Sequence, residues 1–126
     1  MPAQYTLKIV TRFNAARALR HYEGKCANIH GHDFRLEAEI NTPAPDEDKG
    51  LVVDFYDIKQ VMTQVADKFD HQFINEVAPF DVINPTDENL AKWLFEHLQE
   101  LLTDPNVSVA AVTLWESDEF GVRYSQ

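Results

Sequence analysis

The chain has 126 residues, of which 44% are hydrophobic and 25% charged, the balance of one ordinary folded domain spanning residues 1–126 with a core of its own. A net charge of −10 argues against nucleic-acid binding, which needs clustered Lys and Arg to neutralise phosphate. The first residues lack a basic start followed by an apolar run. No stretch approaches the ~20 apolar residues of a membrane helix, and a single cysteine forms no intrachain disulfide, so a cytoplasmic protein is expected.

Charge is unevenly spread. Residues 1–35 carry Lys8, Arg12, Arg17, Arg20, Lys25 and Arg35 against Glu23 and Asp33, a balance of +4, and the remainder is −14. Such a segment either receives an anionic small molecule or is ordinary surface scatter.

Residues 5–15 alternate, with Tyr5, Leu7, Ile9, Thr11, Phe13 and Ala15 on one face, the pattern of a half-buried strand. The next signal is Cys26-Ala-Asn-Ile-His30-Gly-His32. Histidines at i and i+2 project from one side of a strand with Cα atoms roughly 6.5 Å apart, and two neutral imidazoles so placed can converge on zinc. The Cys26 thiol is then a third ligand, or a nucleophile or base beside the metal. The plainer alternative is a pair of core histidines next to a buried cysteine.

Residues 30–41 form a second strand. Phe34, Leu36, Ala38 and Ile40 face inward and continue the register of His30 and His32. Thr42 to Gly50 reads as a polar turn with two prolines. Asp54 caps a helix whose Phe55, Ile58, Met62, Val65 and Phe69 step by three and four. Asp70-His71 follows, either as a carboxylate that fixes the tautomer of a basic imidazole or as a solvated helix end. Thr86-Asp87-Glu88-Asn89 opens a second helix. Thr86 is its cap, and free N–H groups there can also hold a ligand. Leu90, Trp93, Leu94, Leu98 and Leu101 form its apolar side, with a structural His97 beside them. Residues 107–116 and 120–124 read as two further strands. Glu116 shares the face of Val112 and Leu114, where a carboxylate suits a guanidine-like N–H/NH₂ edge, unless the strand has ended and Glu116 is solvated. The elements together give an α+β layer, a four-stranded antiparallel sheet with two helices on one face. The uncovered edges of so small a sheet favour oligomerisation.

These segments resemble the 6-pyruvoyl-/6-carboxy-tetrahydropterin synthase family over nearly the whole chain. The resemblance rests on Phe13-Asn-Ala-Ala16, Cys26-x-x-x-His30-Gly-His32, Gly50-Leu-Val-Val-Asp54-Phe55, Asp70-His71, Asn84-Pro-Thr86-x-Glu88-Asn89 and Glu116. The three-residue spacer after Cys26 is that of the bacterial 6-carboxytetrahydropterin synthases. The resemblance implies the tunnelling fold, a barrel-forming homohexamer built as a dimer of trimers, with sites between subunits. It also implies 7,8-dihydroneopterin triphosphate as the pterin substrate, converted to 6-carboxytetrahydropterin with release of acetaldehyde and triphosphate on the route to queuosine. Cys26, Asp70 and His71 would be catalytic, Glu116 would anchor the pterin with help from Thr86, Asp87 and Glu88, and His30 and His32 would bind zinc.

One position departs from the pattern. The family reads Phe-x-Ala-Ala-His, and that histidine is its third zinc ligand, but here the residue is Arg17. A guanidinium has no lone pair to give a metal. His21 lies four residues on, roughly 13 Å along an extended chain unless a bend after Ala16 shortens it. The expectations are therefore a zinc site weakened or lost, with Arg17 holding the substrate side chain by charge, or a pterin-binding paralogue with altered or lost catalysis.

Overall fold

In the computed structural model, residues 3–126 are described. Strand β1 (Tyr5–Arg17) pairs antiparallel with β2 (His30–Thr42), so that Arg17 stands opposite His30 and Ala15 opposite His32. Helix α1 (Phe55–Ala66) follows, then a two-residue strand β3 (Gln72–Phe73), helix α2 (Asp87–Leu101), and strands β4 (Ser108–Trp115) and β5 (Gly121–Tyr124). The sheet order is β3-β1-β2-β4-β5, and both helices contribute to one core on one face of it.

The expected four-stranded antiparallel sheet is thus a five-stranded mixed one. The extra strand arises because His71 adopts a left-handed φ of 60° and its N–H donates to the Asn14 carbonyl at 2.6 Å. That bond lays Gln72 and Phe73 parallel to Ala15 and Ala16. Two residues are too few to write an alternating pattern into a sequence.

Both helix starts follow their predicted caps. The Asp54 carboxylate accepts from Tyr56 N–H at 2.9 Å, and the Thr86 hydroxyl accepts from Asn89 N–H at 3.2 Å. Such a cap stabilises by about 1 kcal/mol, whereas each fully buried side chain of the stripe Ile58, Met62 and Val65 contributes about 1.5–3 kcal/mol, so packing decides where α1 sits. The stripes fade at their ends: Phe55 is 58% and Leu101 43% exposed. Phe55 lies instead against an apolar hollow with Leu51, Val52 and Tyr5.

Phe13 on β1 stacks on Phe34 on β2 at 4.9 Å, and Phe69 meets Phe13, Phe80 and Trp93. This aromatic layer floors the end of the sheet at which the two histidines, Arg17 and Glu116 emerge. No helix among the described residues is long and apolar enough to cross a membrane.

Candidate active site

The inward alternation of β1 runs through Phe13 and Ala15 and ends on Arg17, which is only 2% exposed. A buried guanidinium must find acceptors, because desolvating it unpaired costs several kcal/mol. Arg17 Nη1 donates to the Pro85 carbonyl at 3.0 Å and to Asp87 Oδ1 at 2.5 Å, and Nη2 donates to Glu116 Oε2 at 2.6 Å. Its Cζ lies 5.2 Å from the centre of the Phe34 ring. The first turn of α2 and the residue after β4 are thereby tied to the last residue of β1.

His30 and His32 enter from β2 beside this cluster, ring centres 4.5 Å apart. His30 Nδ1 lies 2.7 Å from the Asn28 carbonyl, so it carries the proton and leaves Nε2 with a free lone pair. His32 Nε2 is buried without a hydrogen-bond partner, 3.7 Å from Glu116 Oε2. Burial first, and then the Arg17 charge, lower the His32 pKa, which leaves it a neutral imidazole at pH 7 and its approach to Glu116 no ion pair. Glu116 is pushed the other way. Burial raises its pKa and repulsion from Asp87 adds to that, while Arg17 opposes both. Its other oxygen takes no hydrogen bond from a described residue and is not sealed from solvent.

Zinc needs a third protein donor here, and the residues present do not supply it. The free nitrogens of His30 and His32 are two suitable donors, but the third position is a permanent cation. The nearest carboxylate oxygen, Glu116 Oε2, is already bound to that cation. Among the described residues no three His, Cys, Asp or Glu side chains converge in metal-binding geometry. His21 does not replace the missing ligand by a bend after Ala16, because β1 continues through Arg17 and the turn comes at Arg20–His21, where His21 is exposed.

Asp70 and His71 form a second group. His71 Nδ1 is 3.0 Å from Asp70 Oδ2, and Asp70 Oδ1 accepts from Asn14 N–H at 2.9 Å. The Asn14 N–H, seconded by His71, holds the Asp70 carboxyl below its usual pKa. No hydrogen bond or ion pair among the described residues joins this pair to the Arg17 cluster. The two groups do share a surface hollow of about 600 Å³, lined by His71, Phe73, Asn14, Gly31 and His32. Cys26 sits half-buried in a single 3₁₀ turn, Lys25–Ala27, whose Cys26 carbonyl accepts from Leu19 N–H at 2.8 Å. Thr86 serves as a helix cap, Asp87 is spent on Arg17, and Glu88 is exposed.

Pattern reading gave no role to the two asparagines that fix the chain leaving β1. Asn75 accepts from Ala18 N–H at 2.9 Å and donates to the Ala18 carbonyl at 2.8 Å. Asn84 repeats this on Arg20, accepting at 2.8 Å and donating at 2.9 Å. Each side-chain amide imitates a neighbouring strand. The available signal was Asn84-Pro85, where an amide precedes a residue that has no N–H of its own.

The 6-pyruvoyl tetrahydropterin synthase family model matches residues 6–126. The chain belongs to that family. A dihydroneopterin monophosphate aldolase of Pyrococcus furiosus is 36% identical over 110 residues, covering 87% of this chain and 88% of the relative. A 6-carboxy-5,6,7,8-tetrahydropterin synthase of Synechocystis is 35% identical over 92 residues, covering 70% of each. Among solved structures, the Caenorhabditis elegans 6-pyruvoyl tetrahydropterin synthase superposes with a TM-score of 0.87 at 27% identity, over 99% of this chain and 97% of that one. The tunnelling fold and membership of a pterin-processing enzyme family therefore stand together for this chain.

Proposed function

We propose that this chain is a carbon–carbon lyase of the 6-carboxytetrahydropterin synthase type. Its substrate is 7,8-dihydroneopterin triphosphate, and it releases acetaldehyde and triphosphate in cytoplasmic queuosine biosynthesis. The observation that carries the reading is Glu116, a carboxylate held at the sheet end by one oxygen and left open at the other. An aminopyrimidine edge offers two parallel donors to such a group, as a guanidinium does. Thr86 and Glu88 belong to the helix start whose Asp87 is tied through Arg17 to Glu116, and the positive end of the helix dipole favours an anionic group there.

Cys26 is the proton-transferring thiol, and Asp70-His71 the partner relay, the carboxylate fixing which imidazole nitrogen carries the proton. The two lie on separate segments of one protomer, and a homohexamer whose sites lie between subunits is the assembly that lets them meet. β3 pairs only with Ala15 and Ala16, so most of the outer edge of β1 has no partner strand among the described residues, which supports assembly through the sheet.

A second reading has a specific observation behind it. Arg17 stands where the family has a zinc-binding histidine, and one relative is named a dihydroneopterin monophosphate aldolase. In that reading the chain cleaves, or only binds, a different dihydropterin. Product analysis separates the cases. Acetaldehyde and 6-carboxytetrahydropterin from the triphosphate support the proposal. A phosphorylated two-carbon aldehyde from 7,8-dihydroneopterin monophosphate supports the aldolase. Thermal stabilisation by neopterin without any product leaves a binding paralogue.

A further inference from the structure

The geometry points to Arg17 as a built-in cation that takes the metal's post: it is the positioning residue that fixes Glu116, and the pocket works without a divalent ion. The inference rests on the reading that Glu116 receives a pterin.

Three observations carry it. The guanidinium is buried and forked, one nitrogen anchored on Asp87 and Pro85 and the other donating to Glu116, so an immobilised donor holds one glutamate oxygen in place. A lysine would supply the charge without the planar fork. The two carboxylates that would draw a divalent ion toward the imidazoles are already paired with the guanidinium. Finally, Arg17 Nη2 and His32 Nε2 approach the same Glu116 oxygen, at 2.6 and 3.7 Å. A metal bound at His32 would therefore stand beside a fixed positive charge that cannot leave without stranding Asp87 and Glu116 in a buried site.

The experiment compares zinc content by elemental analysis, and neopterin affinity by calorimetry with and without a chelator, for the parent chain, Arg17→His, Arg17→Lys and Glu116→Gln. The parent is expected to hold no stoichiometric zinc after dialysis against it, and its neopterin affinity should be indifferent to chelator. Arg17→His should take up zinc. Arg17→Lys should remain zinc-free and bind neopterin about tenfold more weakly, because the fork that orients Glu116 is gone. Near-stoichiometric zinc in the parent, or loss of its neopterin binding on chelation, would overturn the metal-free site. Full neopterin affinity in Arg17→Lys would overturn the positioning role. Failure of every chain to bind neopterin would bring down the pterin reading and the positioning role with it, while the parent's zinc content still decides the metal question. Should Arg17→His not fold, the parent and Arg17→Lys measurements decide alone.

Discussion

Arg17 Nη2 and Glu116 Oε2 lie 2.6 Å apart although ninety-nine positions separate them in the chain. The contact closes the open end of the sheet: it links the last residue of β1 to the residue after β4, and through Asp87 to the start of α2. The cation that ties these elements together thus also holds the carboxylate proposed to receive the pterin.

Arg17→Met makes this measurable. The apolar chain fills the space, but two carboxylates lose their counter-ion, and removing one partner of a buried pair costs about 3–5 kcal/mol. Asp87 and Glu116 keep 11% and 21% side-chain exposure. The expected loss is therefore at the lower end, about 3 kcal/mol, or a fall in Tm of about 10 °C for a chain of this size. An unchanged Tm in calorimetry would mean that the carboxylates are solvated and the cluster is not a keystone.

Glu116→Gln keeps the size of the side chain and one acceptor for Arg17 while removing the second charge-assisted acceptor. Pterin affinity should fall about tenfold, equivalent to about 1.4 kcal/mol, and Tm should fall by less than in Arg17→Met because Asp87 still pairs with the guanidinium. Isothermal titration with neopterin reads this directly, and unchanged affinity excludes Glu116 as the pterin anchor.

Asn84→Ala removes both hydrogen bonds to Arg20 at once, which at this half-buried position should cost about 1–2 kcal/mol in chemical denaturation. Asn84→Asp retains the acceptor for the Arg20 N–H but turns a carboxylate oxygen toward the Arg20 carbonyl. It should be no more stable than the alanine variant. Equal stability of Asn84→Ala and parent would show that the segment after β1 holds itself.

The Asp70 carboxyl sits below its reference pKa of 3.8, chiefly because Asn14 N–H donates to it. A depressed carboxyl pKa favours the folded protein above 3.8, and that contribution disappears as pH falls through the lower folded value. Tm measured from pH 5 down to pH 2 should therefore drop more steeply for the parent than for Asp70→Asn, the two profiles converging at the acid end. Parallel profiles would show that the Asn14 contact does not favour the ionised form.

Cys26→Ala tests the catalytic assignment apart from the fold. The thiol is half-buried in a short turn and contributes little to the core. Neopterin binding and Tm should survive, while product formation falls by about a hundredfold or more, the scale of one lost acid–base group. Equal turnover by variant and parent would remove Cys26 from the mechanism.

The sequence by itself determined the parts whose signals are local. Alternation marked β1, β2 and β4, the three-four stripe marked α1, and Asp54 and Thr86 marked the helix starts, because strand and helix periods and caps are set within a few residues. It also brought Cys26, His30, His32, Asp70, His71 and Glu116 forward as candidates, through spacing and resemblance. One more step of the β1 alternation already places Arg17 on the inward face. Only the tertiary structure decided what a buried cation does there. Its partners, Asp87 and Glu116, come from a helix start and a strand end far along the chain, and no local period encodes such a meeting. The two-residue β3 and the asparagine clips at Ala18 and Arg20 are of the same kind. They exist because backbone N–H and C=O groups removed from water must be satisfied by whatever the fold brings within 3 Å.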